Sequence, residues 1–173
     1  MNHKWMRTLL QTGDGLGLSM LRWILGIVFF AHGAQKMLGW FGGAGFTEYL
    51  HYLIYSRHIP PVFSFLAIIA EFFGALGLLA GLCSRVAAFG IMTNMWVAIF
   101  LVHARFGFFM NWNTNKPGEG YEFHLLAIVM TLVIMVEGAG RLSLDRWLYR
   151  RGEAEETRIS TRSAETPKAC VAA

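Results

Sequence analysis

Four long apolar stretches dominate the chain, at residues 16–38, 61–82, 86–104 and 121–138. Each is close to the ~20 mostly apolar residues that a helix needs to cross the hydrocarbon of a bilayer. Few polar side chains interrupt them. The first stretch carries Arg22 near its start and His32, Gln35 and Lys36 near its end. The second holds Glu71, the third ends at His103, and the fourth has Glu122, His124 and Glu137 near its ends. Arg22 lies close enough to its end to snorkel to the interface. The pattern predicts an all-α polytopic membrane protein, an antiparallel four-transmembrane-helix bundle. A cleaved signal peptide is a poor alternative for the first run, which exceeds a normal h-region and is followed by three more.

The connections differ in kind. Leu82-Cys83-Ser84-Arg85 has room only for a tight turn, so the second and third spans are antiparallel neighbours. In residues 39–60 a glycine-rich WFGGAGF gives way to TEYLHYLIYSRH, where Thr47 is placed to cap a short helix lying in the interface. Trp40, Phe41, Tyr49, Tyr52 and Tyr55 suit headgroup depth. Residues 105–120 read as an aromatic and then Asn/Gly/Pro-rich loop, and the polar, small residues from 152 onward predict disorder. The expected organisation is a cytoplasmic N-terminal segment (1–15), a four-helix transmembrane domain (16–151) and a disordered cytoplasmic tail (152–173).

Composition sharpens this picture. Charged residues make up 15% and hydrophobic residues 55%, whereas a soluble domain carries about 25% charged residues. The net charge of +4 does not indicate nucleic acid, because the basic residues flank apolar runs and form no aromatic-interleaved patch. They report topology instead. One side of the bundle collects Lys4, Arg7, Arg22, Arg85, Arg141, Arg146, Arg150 and Arg151; the other has Lys36, Arg57, Arg105 and Lys116. The richer side is expected to be cytoplasmic, which places both termini inside. Cys83 and Cys170 form no CxxC, so a dithiol redox centre within the chain is not expected.

In an up-down-up-down bundle the outer side receives His32, Gln35 and Lys36, then Glu71, His103 and Arg105, then Glu122 and His124. His32 and Lys36 are one helical turn apart on one face, with Gln35 beside them. Glu71 lies ten residues into its span, about 15 Å deep at the helical rise. A carboxylate there costs about 2.5–3.5 kcal/mol unless it pairs, faces water or is protonated. Ala67, Gly74, Gly77 and Gly81 share its face, and small residues let helices approach, so Glu71 is expected to point inward at a cation, Lys36 or His32. Glu122 and His124 are nearly opposite on a helix, so one of the two is interfacial. Asn94 reads as packing glue, and Glu137 with Arg141 as an ordinary ion pair. A metal site is not assigned: His32, His103 and His124 show no HxxxH or ExxH spacing. Nucleophile triads and phosphate-cradling loops are absent, and GWFGGAG follows a helix and not a strand. Two classes of function remain, a polar pocket within the membrane or an ion pair that only fixes helix packing in a scaffold. A small transporter is weaker, since four helices without inverted repeats are expected. Small residues on the second span would permit a homodimer.

HGAQKMLGWFGGAGF (32–46), AEFFGALGLLAGLCSRVAA (70–88), VAIFLVHARFGFF (97–109), GYEFHLLAI (120–128) and GAGRLSLD (138–145) together resemble the DoxX family of small bacterial four-helix membrane proteins. The resemblance covers about residues 16–145. It implies a bacterial cytoplasmic (inner) membrane protein and kinship with DoxD, the membrane subunit of a thiosulfate:quinone oxidoreductase. It also implies kinship with proteins that join redox-stress complexes, and hence a membrane or periplasmic redox partner subunit. The family pattern marks His32, Gln35, Lys36, Glu71, His103, Tyr121 and Glu122 as candidate ligand-binding residues. With no redox cysteine pair, any electrons would be carried by a non-covalently bound quinone or by the partner. Whether the chain is itself an enzyme is left open at this stage.

Overall fold

The computed structural model describes residues 8–114 and 117–165, and these form helices joined by turns with no strand among them. We number the helices α1 (Leu16–Met37), α2 (Gly45–His51), α3 (Pro61–Ala80), α4 (Ser84–Ala98), α5 (Glu122–Glu137) and α6 (Leu144–Glu165). Three helices, Leu16–Met37, Pro61–Ala80 and Ser84–Phe106, are long and apolar enough to cross a membrane. The third of these continues α4 through a π turn at Ile99–His103 and a 3-10 turn at Ala104–Phe106. The helix α5 is equally apolar in its middle but has only 16 residues. It packs on α4 and α1, while α1 packs on α3 and α3 on α4.

The outside of this bundle is apolar. Met20, Ile24, Ile27, Phe63, Phe89, Phe100, Leu126 and Val136 are all exposed, an arrangement that suits lipid, which offers no partner to polar groups. The interior is a cluster built on Leu25, Phe29, Ala75, Leu78, Ala88, Ile91, Met95, Ile128 and Ile134. Contact between α1 and α3 depends on Gly33, where an added Cβ would lie 2.8 Å from the Phe72 Cα. Gly74 is spent within the chain as well, with a Cβ there 3.4 Å from Ile91 Cγ1. That glycine is therefore packed within the chain and not on the outer face of the second span.

One end of the bundle is fastened by buried polar groups. Arg22 does not snorkel. It is completely buried and donates from Nε to the Ala139 carbonyl at 2.9 Å, from Nη1 to the carbonyls of Leu78 and Leu79, and from Nη2 to Leu142 at 2.6 Å. The reason is local. The last carbonyls of α3 have no intrahelical partner, and Gly81 turns the chain at φ 68° so that Leu82 N–H closes on the Gly77 carbonyl at 2.9 Å. Asp145, also buried, accepts from Cys83 N–H at 2.7 Å and Ser84 N–H at 2.9 Å, capping α4 from a remote part of the chain. The expected Glu137–Arg141 pair does not form among the described residues, because Gly138 at φ 89° ends α5 at Glu137 and leaves Arg141 off the helix.

Two further expectations are corrected. The short helix after α1 starts at Gly45 without a side-chain cap, so Thr47 lies inside it. The segment from 152 is helical through Glu165, where disorder was expected; residues 166–173 lie outside the described residues. Glu155 and Arg158 sit at helical spacing there, and Thr157 and Thr161 each donate to the carbonyl four residues back, at 2.9 and 3.0 Å.

Candidate functional site

The end of the bundle opposite Arg22 encloses a cavity of about 340 Å³. Its polar centre is Glu71 paired with Lys36, one of the two cations, with His32, that the sequence left open for it. Lys36 Nζ donates to Glu71 Oε1 at 2.6 Å and to Oε2 at 2.5 Å. Glu71 is buried and the Lys36 side chain is 23% exposed. Lys36 stands one turn beyond Gly33, so the close approach of α1 to α3 at that glycine is what brings ammonium and carboxylate together.

The segment after α1 covers this pair. Tyr49, Tyr52, Leu53 and Arg57 recur at i, i+3, i+4 and i+8, one helical face, and all four line the cavity. Lys36 Nζ lies 5.2 Å from the centre of the Tyr49 ring, a cation–π distance. Burial pushes the Tyr49 phenol above its ordinary pKa, with the Lys36 charge pulling the other way. Arg57 Nε donates to the Tyr52 hydroxyl at 2.6 Å. Tyr49 is thus turned toward the site and is not simply an anchor at headgroup depth.

The other wall is aromatic and imidazole. His103 and His124 have ring centres 4.1 Å apart, and both border the cavity. The π turn at Ile99–His103 matters here: it widens the end of α4 and carries Leu101, Val102 and His103 to the cavity wall. Such turns recur at functional sites. A carbonyl can only accept, so the 2.8 Å contact of His103 Nδ1 with Glu119 O and the 2.9 Å contact of His32 Nδ1 with Val28 O require an N–H at both nitrogens. In the neutral rings that leaves Nε2 as the proton acceptor. His124 is buried, and its Nδ1 has no hydrogen-bond partner.

Of the residues singled out in the sequence, His32, Lys36, Glu71 and His103 border the cavity together, and Gln35, Tyr121 and Glu122 do not. Gln35 donates to the Phe41 carbonyl at 3.4 Å, bracing the turn after α1. Tyr121 meets Phe108 edge to face at 5.6 Å. Glu122 stands at the start of α5, 3.4 Å from the Trp112 indole nitrogen. Of the two residues that could not share a face, His124 is therefore the inward one. Asn94 does bind helices, donating to Ala67 O at 2.7 Å, yet it also lines the cavity. Tyr49, Tyr52, Arg57 and Glu119 were missed. For the first three the i, i+3, i+8 spacing was the available signal; for Glu119, whose carboxylate also holds Asn111 N–H at 2.6 Å, there was none.

Residues 17–104 match the family model described as DoxX. The chain belongs to the DoxX family. This DoxX chain is a multi-pass membrane protein by that membership and by its apolar helices. It is also 29% identical over 135 residues to an uncharacterized protein of Haemophilus influenzae, an alignment covering 77% of this chain and 83% of that protein. No solved structure matches it. The DoxX match includes His32, Lys36, Glu71 and His103 but stops short of Glu119 and His124, so part of the cavity wall lies outside the matched region.

Proposed function

We propose that this DoxX protein binds a quinone, or a small molecule of similar carbonyl chemistry, in the cavity around Lys36 and Glu71, in a redox-associated role at the bacterial inner membrane. In this reading α5 is a fourth crossing, both termini are cytoplasmic, the cavity opens to the outer side, and a membrane or periplasmic partner exchanges electrons with the bound molecule. The observation that carries it is one cavity joining an ion pair and two paired imidazoles to apolar walls of Phe29, Leu53, Met95, Leu101 and Phe123. Ligand sites are of this size and character, from about 300 Å³ upward with a few placed polar groups. Charged and ionisable groups inside a membrane are costly and are functional-site candidates for that reason.

The residues fit such a ligand. His103 and His124 both border the cavity with ring centres 4.1 Å apart, and among the described residues the Nδ1 of His124 has no hydrogen-bond partner. A bound quinone would supply two-electron, two-proton redox chemistry. Lys36 would place positive charge beside a ligand oxygen, Glu71 would hold Lys36 in position, and the Nε2 atoms of His32 and His103 would accept or release protons. The alternative, a scaffold without ligand, is favoured by one observation: Lys36 and Glu71 already satisfy each other through two short hydrogen bonds. The test is solvent extraction and mass spectrometry of protein purified in native-lipid nanodiscs. Quinone at near one per chain, falling at least tenfold in His103→Ala, is expected. Purification of a ligand-free protein in a stable complex with a second subunit would sink the pocket and leave the scaffold.

A further inference from the structure

A second hollow of about 450 Å³ lies on the outside of the bundle, bordered by Phe108, Met110, Trp112, Phe123 and Leu126 together with Glu122 and Leu125. It faces outward, since Trp112 is 82% and Leu126 66% exposed. Met110 and Phe123 border both this groove and the polar cavity. Polar chamber and apolar groove thus share two wall residues, one of them a methionine, whose unbranched thioether adapts readily to what it touches. The loop that forms the groove is held in place across its base: Tyr121 N–H donates to Gly107 O at 3.2 Å and Glu122 N–H to Phe108 O at 2.9 Å. Glu122 meets the Trp112 indole nitrogen at the groove.

We infer that the ligand is an amphipathic, lipid-soluble molecule, whose head occupies the polar cavity and whose apolar tail leaves past Met110 and Phe123 along the groove. This rests on the pocket reading and narrows it, because a small water-soluble substrate has no use for the groove. Lipid chains are as apolar as the groove, so the tail gains little by leaving the bilayer. What the groove gives is room for the tail directly beside the head's seat. Tailed ligands therefore enter sideways from the membrane.

The test compares a tail-less dimethoxymethyl-benzoquinone with its decyl derivative, titrated calorimetrically into the full chain in nanodiscs, with empty nanodiscs as the blank. Leu126→Trp fills the groove at an exposed position. It is expected to raise the ratio of decyl to tail-less Kd at least tenfold over the wild type. An unchanged ratio overturns the inference and leaves the pocket standing; failure of both compounds to bind the wild type overturns both. Should Leu126→Trp not fold, a decyl derivative carrying a terminal diazirine decides the matter on the unmodified protein. Photolabels within 106–112 and 122–126 are expected, and labels scattered over the other lipid-facing helices would overturn the tail path.

Discussion

Lys36 and Glu71 carry the central question at the scale of single residues. Removing one partner of a buried pair leaves an uncompensated charge, at about 3–5 kcal/mol if the group stays ionised. Lys36→Met alone and Glu71→Leu alone are therefore each expected to lower the melting temperature of the solubilised protein by several degrees. The double variant replaces both groups with apolar side chains of similar size, and it should recover most of the loss. Bound ligand separates the two readings: in a pocket, the stable double variant stays empty, whereas ligand retained at the wild-type level would end the pocket reading. The same physics applies to Arg22, which serves four carbonyls drawn from α3 and from the segment after α5. Arg22→Met would strand several of them, each costing about 1–3 kcal/mol, so we expect that variant to be the more damaging of the two ends. A melting temperature within a degree or two of wild type would show that water or lipid headgroups replace the guanidinium.

Among the helices, the apolar runs were legible because lipid leaves a spanning segment almost no choice: every backbone group must bond within the helix and nearly every side chain must be apolar. The observed starts and ends fall close to those runs. The polar ends were legible in part for the same reason: Glu71 at depth demands a partner, but its depth left Lys36 and His32 both open as the cation. What could not be read is helix rotation and distant backbone. Whether Glu122 or His124 faces inward depends on how α5 is turned against α4, and the acceptors of Arg22 lie 56 to 120 residues away. The helical segment beyond 152 was missed because composition was weighed there and helical spacing was not. Its side chains from 151 to 162 are exposed, so α6 beyond Gly152 has little to bury. We expect truncation after Gly152 to leave the melting temperature within about 2 °C of wild type, as removing an undocked surface segment should. A marked fall would show that the segment docks on the bundle or on a second copy.

For the molecule as a whole, the distribution of cations decides which way the cavity faces. Among the described residues, the Arg22 end adds Arg85, Arg141, Arg146, Arg150 and Arg151, and the cavity end adds Lys36, Arg57 and Arg105. Two of these are paired, Arg146 with Asp14 and Lys36 with Glu71. The orientation rule counts Lys and Arg near span ends and gives acidic residues little weight, so that pairing does not change the expectation. The topology turns on α5, the fourth apolar run. Its 16 residues rise about 24 Å, short of a ~30 Å hydrocarbon core, and it must cross for the two chain ends to share a side. Single cysteines in a Cys83→Ala, Cys170→Ala background test crossing and orientation together. A membrane-impermeant maleimide applied to intact cells is expected to label Asn113→Cys, in the loop before α5, and to reach Ala154→Cys only after permeabilisation. Labelling of both from outside would mean that α5 does not cross. The reverse pattern would turn the cavity to the cytoplasm.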